Sequence, residues 1–271
     1  MDDASKNPRH SRWAWAGLAM VALVIGAVVV LFLARGGGSD ANATAASGSV
    51  RSASAVSVPA GANRPAAAAS VALGQIRRES SEPLLDGGKP LVFFMGAEWC
   101  PFCASERWGL VEATSRFGKW SGLRELRSRE GQDYFPALAT YDLSQATYTS
   151  DYISIRHKEV ATVEGDPLQK LGSFEEGLVN GYDKLGSVPF LFASGSPGRY
   201  TVELPYSPGL LDGQTFASLR KEVAAEAPTP AVEAIDGQAD AITALICKLD
   251  GRQPASVCAK GSIPTLEGEL E

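Results

Sequence analysis

Leu91-Val92-Phe93-Phe94-Met95-Gly96-Ala97-Glu98-Trp99-Cys100-Pro101-Phe102-Cys103 is the stretch on which the reading of this chain turns. The apolar run Leu91–Met95 follows Pro90 and stops at Gly96. It is short, unbroken and aromatic, which predicts a strand buried on both faces, as in a parallel sheet. From Cys100 the pattern changes. Leu110, Ala113, Phe117 and Trp120 recur at spacings of three and four and predict a helix with one apolar face. Pro101 sits in its first turn, where a missing N–H costs nothing. A strand, a cysteine at the turn and a helix make the start of a βα unit.

The two cysteines give that unit a chemistry. Disulfide exchange needs a thiolate, and a free thiol with a pKa near 8.5 is mostly protonated at neutral pH. A helix N-terminus offers unpaired N–H groups and the positive end of the dipole, and both favour S⁻. Cys103 lies one turn after Cys100 on the same side of the helix. Cys100 is therefore expected as the exposed attacking thiol and Cys103 as the more buried resolving thiol. The competing readings are a structural staple and half of a zinc site. A four-thiolate zinc site would have to recruit Cys247 and Cys258, whose spacing is wide for a zinc knuckle. No metal and no organic cofactor is expected.

Outward from this segment the chain alternates. Residues 138–141 and 152–155 read as strands and 167–179 as a helix. Residues 188–192 form another strand, followed by a hairpin through Tyr200-Thr201-Val202. Residues 216–223 are helical, Pro228 and Pro230 interrupt, and a last helix is expected over about 231–249. Cys247 and Cys258 bracket a short loop, and a bridge there would contribute about 3 kcal/mol by loop entropy. A structural bridge is favoured over an electron relay, because no adjacent-turn geometry activates either thiol. The sequence divides into a tail (1–12), an apolar anchor (13–34), a tether (35–74), a main domain (75–227) and a helical, disulfide-closed extension (228–271).

Residues 13–34 carry no charge and at 1.5 Å per residue reach about 33 Å, enough for a hydrocarbon core of about 30 Å. Lys6, Arg9 and Arg12 precede them and keep the N-terminus cytoplasmic by the positive-inside rule. The stretch is longer than a signal-peptide core, and Phe32-Leu33-Ala34 is a poor cleavage site, so a single-pass anchor is expected rather than a cleaved leader. Residues 35–74 are rich in Gly, Ser, Ala and Val, a composition expected to act as a flexible tether. All four cysteines then lie in the extracytoplasmic compartment, where disulfides persist. The 271 residues hold 25 basic against 31 acidic side chains, a formal charge of −6, which argues against nucleic acid as a partner. Only two histidines occur, which excludes a site built on several imidazoles.

Ala97-Glu98-Trp99-Cys100-Pro101-Phe102-Cys103 after an apolar strand resembles the active-site segment of the thioredoxin superfamily. Val188-Pro189, opening a later strand, is similar to that superfamily's cis-proline, which packs beside the active disulfide. The long stretch between Cys100 and Pro189, the valine before that proline and the proline after Cys100 resemble exported disulfide oxidases of the DsbA type. The layout as a whole, with the late cysteine pair, is similar to a membrane-tethered thioredoxin-like family of unassigned function.

The resemblance implies an α/β, thioredoxin-like fold with an inserted segment and a C-terminal helical extension, preceded by one transmembrane helix. It implies Cys100, Cys103 and Pro189 at the reacting centre, and a peptide groove bordered by Trp99, Pro101, Phe102 and Val188. The expected activity is thiol–disulfide oxidoreduction on exported proteins, with a membrane or soluble redox partner. A tethered binding module whose Cys100–Cys103 bond is structural is the alternative. Two positions depart from the family. Phe94 stands where thioredoxins carry a buried acid, and the dipeptide is Pro-Phe instead of Gly-Pro. Both leave the direction of electron flow open.

Neighbouring residues have plainer expectations. Trp99 is a shield for Cys100 on the resemblance and half-buried packing on the residues alone. Glu98 is expected as a solvated rim charge, and His157 as exposed. Arg107 either favours the thiolate or forms a surface ion pair, the latter preferred. Phe117 and Trp120 are expected in the core.

Overall fold

The computed structural model describes residues 66–131, 135–183 and 185–270. The anchor expected at 13–34 and most of the tether lie outside them. Among the described residues no helix is long and apolar enough to cross a membrane.

The described part opens with α1 (Ala66–Leu73), β1 (Ile76–Ser80), β2 (Leu85–Asp86), β3 (Lys89–Gly96) and α2 (Pro101–Ser115). Five short strands follow: β4 (Lys119–Ser121), β5 (Arg124–Arg127), β6 (Ala139–Asp142), β7 (Thr147–Thr149) and β8 (Ser154–Glu159). Then come α3 (Ser173–Tyr182), β9 (Phe190–Gly195), β10 (Gly198–Val202) and a 3-10 turn (Pro208–Leu211). The chain ends with α4 (Phe216–Ala224), α5 (Pro230–Leu249), α6 (Ala255–Cys258) and α7 (Ile263–Glu269).

The central sheet is mixed, with β1-β10-β9-β3-β2 in order and β8 also paired to β3. β3 runs parallel to β8 but antiparallel to β9 and β2. The sequence reading had β3 buried, which it is, but in a parallel sheet, which this is not. A continuous apolar run reports burial on two faces and is silent about the direction of its neighbours. Leu91, Phe93 and Met95 face one side and pack with Leu178 and Val179 of α3 and with Phe190 and Phe192 of β9. Val92 and Phe94 face the other and join the larger core with α2 and α5. The site at the end of β3 is thus held by helices on both faces.

The stretch between the cysteines and Pro189 holds two small ribbons, β4 with β7 and β5 with β6, besides β8 and α3. The helix expected at 167–179 begins six residues later. Phe117 and Trp120 are core residues as expected, but α2 stops at Ser115 and both lie beyond it.

Two boundaries move. Residues 66–73, assigned by composition to the tether, form α1 against α5. Alanine is the best helix former, and at Gly237 a β-carbon would stand 2.7 Å from Ala68, so the two helices touch backbone to backbone. The segment from 228 is no appendage either. α5 buries most of its length, including Val232, Ile235, Ile242 and Leu245, against α1 and α2. Cys247 and Cys258 form a disulfide with Cα atoms 5.6 Å apart, tying α6 to the end of α5.

Candidate active site

β3 ends at Gly96, and the turn Ala97-Glu98-Trp99 delivers the chain to α2. Cys100 is the N-cap residue, with extended φ and ψ of −81° and 123°. Its sulfur takes the place of the usual Ser or Asp oxygen and accepts the Cys103 N–H at 3.2 Å. Pro101 follows in the first turn and is buried. The expected position of both cysteines at a helix N-terminus is therefore met.

Cys100 and Cys103 are free thiols and both are buried, Cys103 the deeper. Cys100 was expected exposed, yet only 2% of its surface is accessible. The reason is the chain that crosses above it. The Val188 carbonyl oxygen lies 3.7 Å from Cys100 Sγ, and the Val188–Pro189 peptide is cis. Pro189 and Val188 are half-buried beside it. A second cis proline, Gln253–Pro254, sits near the disulfide and was not anticipated.

The electrostatics separate the two thiols. A hydrogen bond from the Cys103 thiol holds the Cys100 pKa below the ordinary value against the opposing effect of burial. The Cys103 and Phe102 N–H groups and the Arg107 charge add to it. Burial pushes Cys103 up, and the hydrogen bond to Cys100 and the charge on Cys100 push it further. Their mutual hydrogen bond thus sets the two thiols apart, Cys100 shifted down and Cys103 up.

Beneath them lies a charge pair that the sequence reading assigned to the surface. Arg107 is fully buried. Its Nε donates to Glu159 Oε1 at 2.8 Å, and its Nη2 donates to Glu159 Oε2 at 2.6 Å and to the Ala97 carbonyl at 2.9 Å. Burial opposes the Arg107 charge, but Glu159 outweighs it and keeps the guanidinium ionised. The Arg107 guanidinium carbon stands 5.9 Å from the centre of the Phe94 ring. Phe94 thus underlies a cation. Gly96 makes room for the group, because a β-carbon there would press on the Phe94 ring at 2.6 Å and approach Glu159 Oε2 at 3.2 Å.

The remaining residues singled out in the sequence are placed as follows. Trp99 is half-buried and packs on the core, and its carbonyl accepts the Arg129 N–H. Phe102 is exposed and meets Phe135 edge-on at 5.6 Å. Glu98 is partly buried instead of solvated, and burial together with Asp142 and Glu159 raises its pKa. His157 is not exposed as expected. It lies in β8 opposite Phe94, meets the Trp120 ring at a tilt with centroids 5.5 Å apart, and burial lowers its pKa. Among the described residues no cluster of His, Cys, Asp or Glu could hold a metal ion.

Glu159 is the residue the sequence reading missed. The signal available was that Arg107, four residues after Cys103 and seven after Cys100, shares their face of α2. Neither its burial nor its partner was legible, because the pairing of Gly96 with Glu159 across β3 and β8 sets both.

Residues 75–181 match the model of a family described as a domain of unknown function, DUF929. The match spans less than half of the chain. It contains Cys100, Cys103, Arg107 and Glu159 but stops before Val188 and Pro189. No curated protein and no solved structure matches the chain.

Proposed function

We propose that the chain is a thiol–disulfide oxidoreductase of thioredoxin-like fold, similar to the DsbA type, acting on proteins outside the cytoplasm. The observation that carries this is the opposed pair at the N-terminus of α2, Cys100 favouring the thiolate and Cys103 holding its proton. A cysteine of lowered pKa beside a second thiol is the arrangement that attack and resolution require.

In the oxidising direction a substrate thiolate attacks Sγ of Cys100 in the Cys100–Cys103 disulfide. The S–S bond breaks, its electron pair goes to Cys103, and Cys103 takes up a proton. A second substrate thiolate attacks the substrate sulfur of the mixed disulfide and expels Cys100 as a thiolate. The substrate leaves with a disulfide and the pair is reduced by two electrons. In the reducing direction Cys100 attacks a substrate disulfide and Cys103, losing its proton, resolves. Val188 and Pro189 border the path by which the substrate sulfur arrives, together with Trp99, Pro101 and Phe102. The Cys247–Cys258 bond serves as a structural bridge. With residues 13–34 as a membrane anchor and 35–65 as tether, the reacting end faces exported proteins and a redox partner that recharges it.

The near-complete burial of Cys100 favours a second reading, a tethered binding module in which the Cys100–Cys103 bond is structural. Alkylation of the reduced, folded chain separates the two. Rapid labelling of Cys100, faster than of Cys103, supports turnover, and protection of both until unfolding supports the module.

A further inference from the structure

We propose that Arg107, held in place by Glu159, is a positioning residue that sets the redox poise of the Cys100–Cys103 pair by fixing a positive charge beneath both sulfurs. The inference rests on the oxidoreductase reading and deepens it.

The geometry is directional. Arg107 lies one and two turns after Cys103 and Cys100, so its side chain emerges on their side of α2. Glu159 occupies Nε and one edge of the guanidinium, while Nη2 also reaches the Ala97 carbonyl. That carbonyl accepts the Cys100 N–H at 3.1 Å, so the guanidinium and the attacking cysteine are clamped to one oxygen. The remaining donor, Nη1, is buried and has no hydrogen-bond partner among the described residues. The pair is thus an oriented dipole with its negative end tied off. Its positive charge favours the thiolate at Cys100 and opposes the upward shift of Cys103. The charged groups around the centre are Arg107 from α2, Glu159 from β8 and Glu98 from the turn between β3 and α2. A buried ion pair adds little to stability, because desolvation offsets its attraction, so its place under the cysteines calls for another role.

The consequence follows from the electron balance. The disulfide plus two glutathione thiols gives the dithiol plus glutathione disulfide. Whatever stabilises a thiolate in the dithiol form moves the equilibrium toward reduction and makes the pair a stronger oxidant. Phe94 contributes no competing negative charge.

The test is the glutathione equilibrium of the full chain, with the Cys100 thiolate followed by pH-dependent alkylation. Two variants are compared: E159Q, which unmasks the guanidinium and keeps a side chain of the same shape, and R107M/E159Q, which removes both charges. The inference expects opposite movements. E159Q shifts the equilibrium toward the dithiol and lowers the pH at which Cys100 becomes reactive. R107M/E159Q shifts it toward the disulfide about tenfold, a change of about 30 mV, and raises that pH. A purely structural clamp would move both variants the same way, and that result, or no movement, overturns the inference while leaving the oxidoreductase reading intact. Should E159Q, which leaves the buried guanidinium unpaired, fail to fold, R107M/E159Q alone decides by the sign of its shift. A wild-type pair that neither equilibrates with glutathione nor labels overturns both.

Discussion

Glu106, one turn after Cys103, offers the sharpest check on the packing that carries the site. It faces α5 with no water contact, and burial pushes its pKa up to about 8 from an ordinary 4.5. Gln238 opposes the shift, and Glu203 adds to it. Tyr206, whose hydroxyl donates to the Ser105 carbonyl, is also driven up by burial, Glu106 and Asp236. The folded state therefore keeps the Glu106 proton after the unfolded chain has lost it. For a carboxyl with a raised pKa, stability falls as pH climbs from the unfolded value toward the folded one. Between pH 5 and pH 8 this loss is on the order of 3 kcal/mol at 1.36 kcal/mol per unit. Glu106→Gln removes the ionisation and keeps the shape. The melting temperatures of E106Q and wild type should lie close at pH 5 and diverge by about 6 to 12 °C at pH 8, with E106Q the higher. Thermal melts at pH 5, 6, 7 and 8 measure it, and other titrating groups cancel in the difference. A gap that stays constant across this range would refute the burial of an ionisable carboxyl between α2 and α5.

Three further outcomes follow from the same contacts. On the proposed oxidoreductase reading C103S, offered a disulfide-bonded peptide, should accumulate a reducible covalent adduct at Cys100, because the thiol assigned to resolve it is gone; C100S should form none, as read by intact mass. Gly237→Ala should cost about 1 to 3 kcal/mol in denaturant melts and expose residues 66–73 to protease, since its β-carbon meets Ala68 at 2.7 Å. Replacing both Cys247 and Cys258 by serine should lower stability by about 2 to 4 kcal/mol while leaving the alkylation rate of Cys100 in the folded chain unchanged, and a fall in that rate would favour a relay over a bridge.

The sequence announced the site more fully than its surroundings. β3 and α2 are local: an apolar run stopping at glycine and a three-and-four periodicity need no knowledge of the rest of the chain. The cysteine spacing and Pro101 likewise place the thiols at a helix start. What the sequence concealed was long-range. Arg107 looks like any helix-surface cation until β8 pairs with β3 and brings Glu159 beneath it, 52 residues away in the chain. His157 lies in a run of polar residues and is covered because the Trp120 ring packs against it. Ala66–Leu73 has the composition of a linker, and its packing depends on the distant α5, where Gly237 leaves room for Ala68. The middle of the chain was hardest, because strands as short as β4 and β7 carry too few residues for a period to register.

The central claim is that Cys100 and Cys103 interconvert between dithiol and disulfide within reach of cellular thiols. The equilibrium reduction potential of the pair in the full chain tests it most directly. A glutathione series read by alkylation and mass yields that potential, with Cys247 and Cys258 counted separately. A value between about −120 and −270 mV is expected, with the Cys247–Cys258 bond more resistant. A Cys100–Cys103 bond that withstands reduction below about −300 mV would contradict it and make the pair a staple.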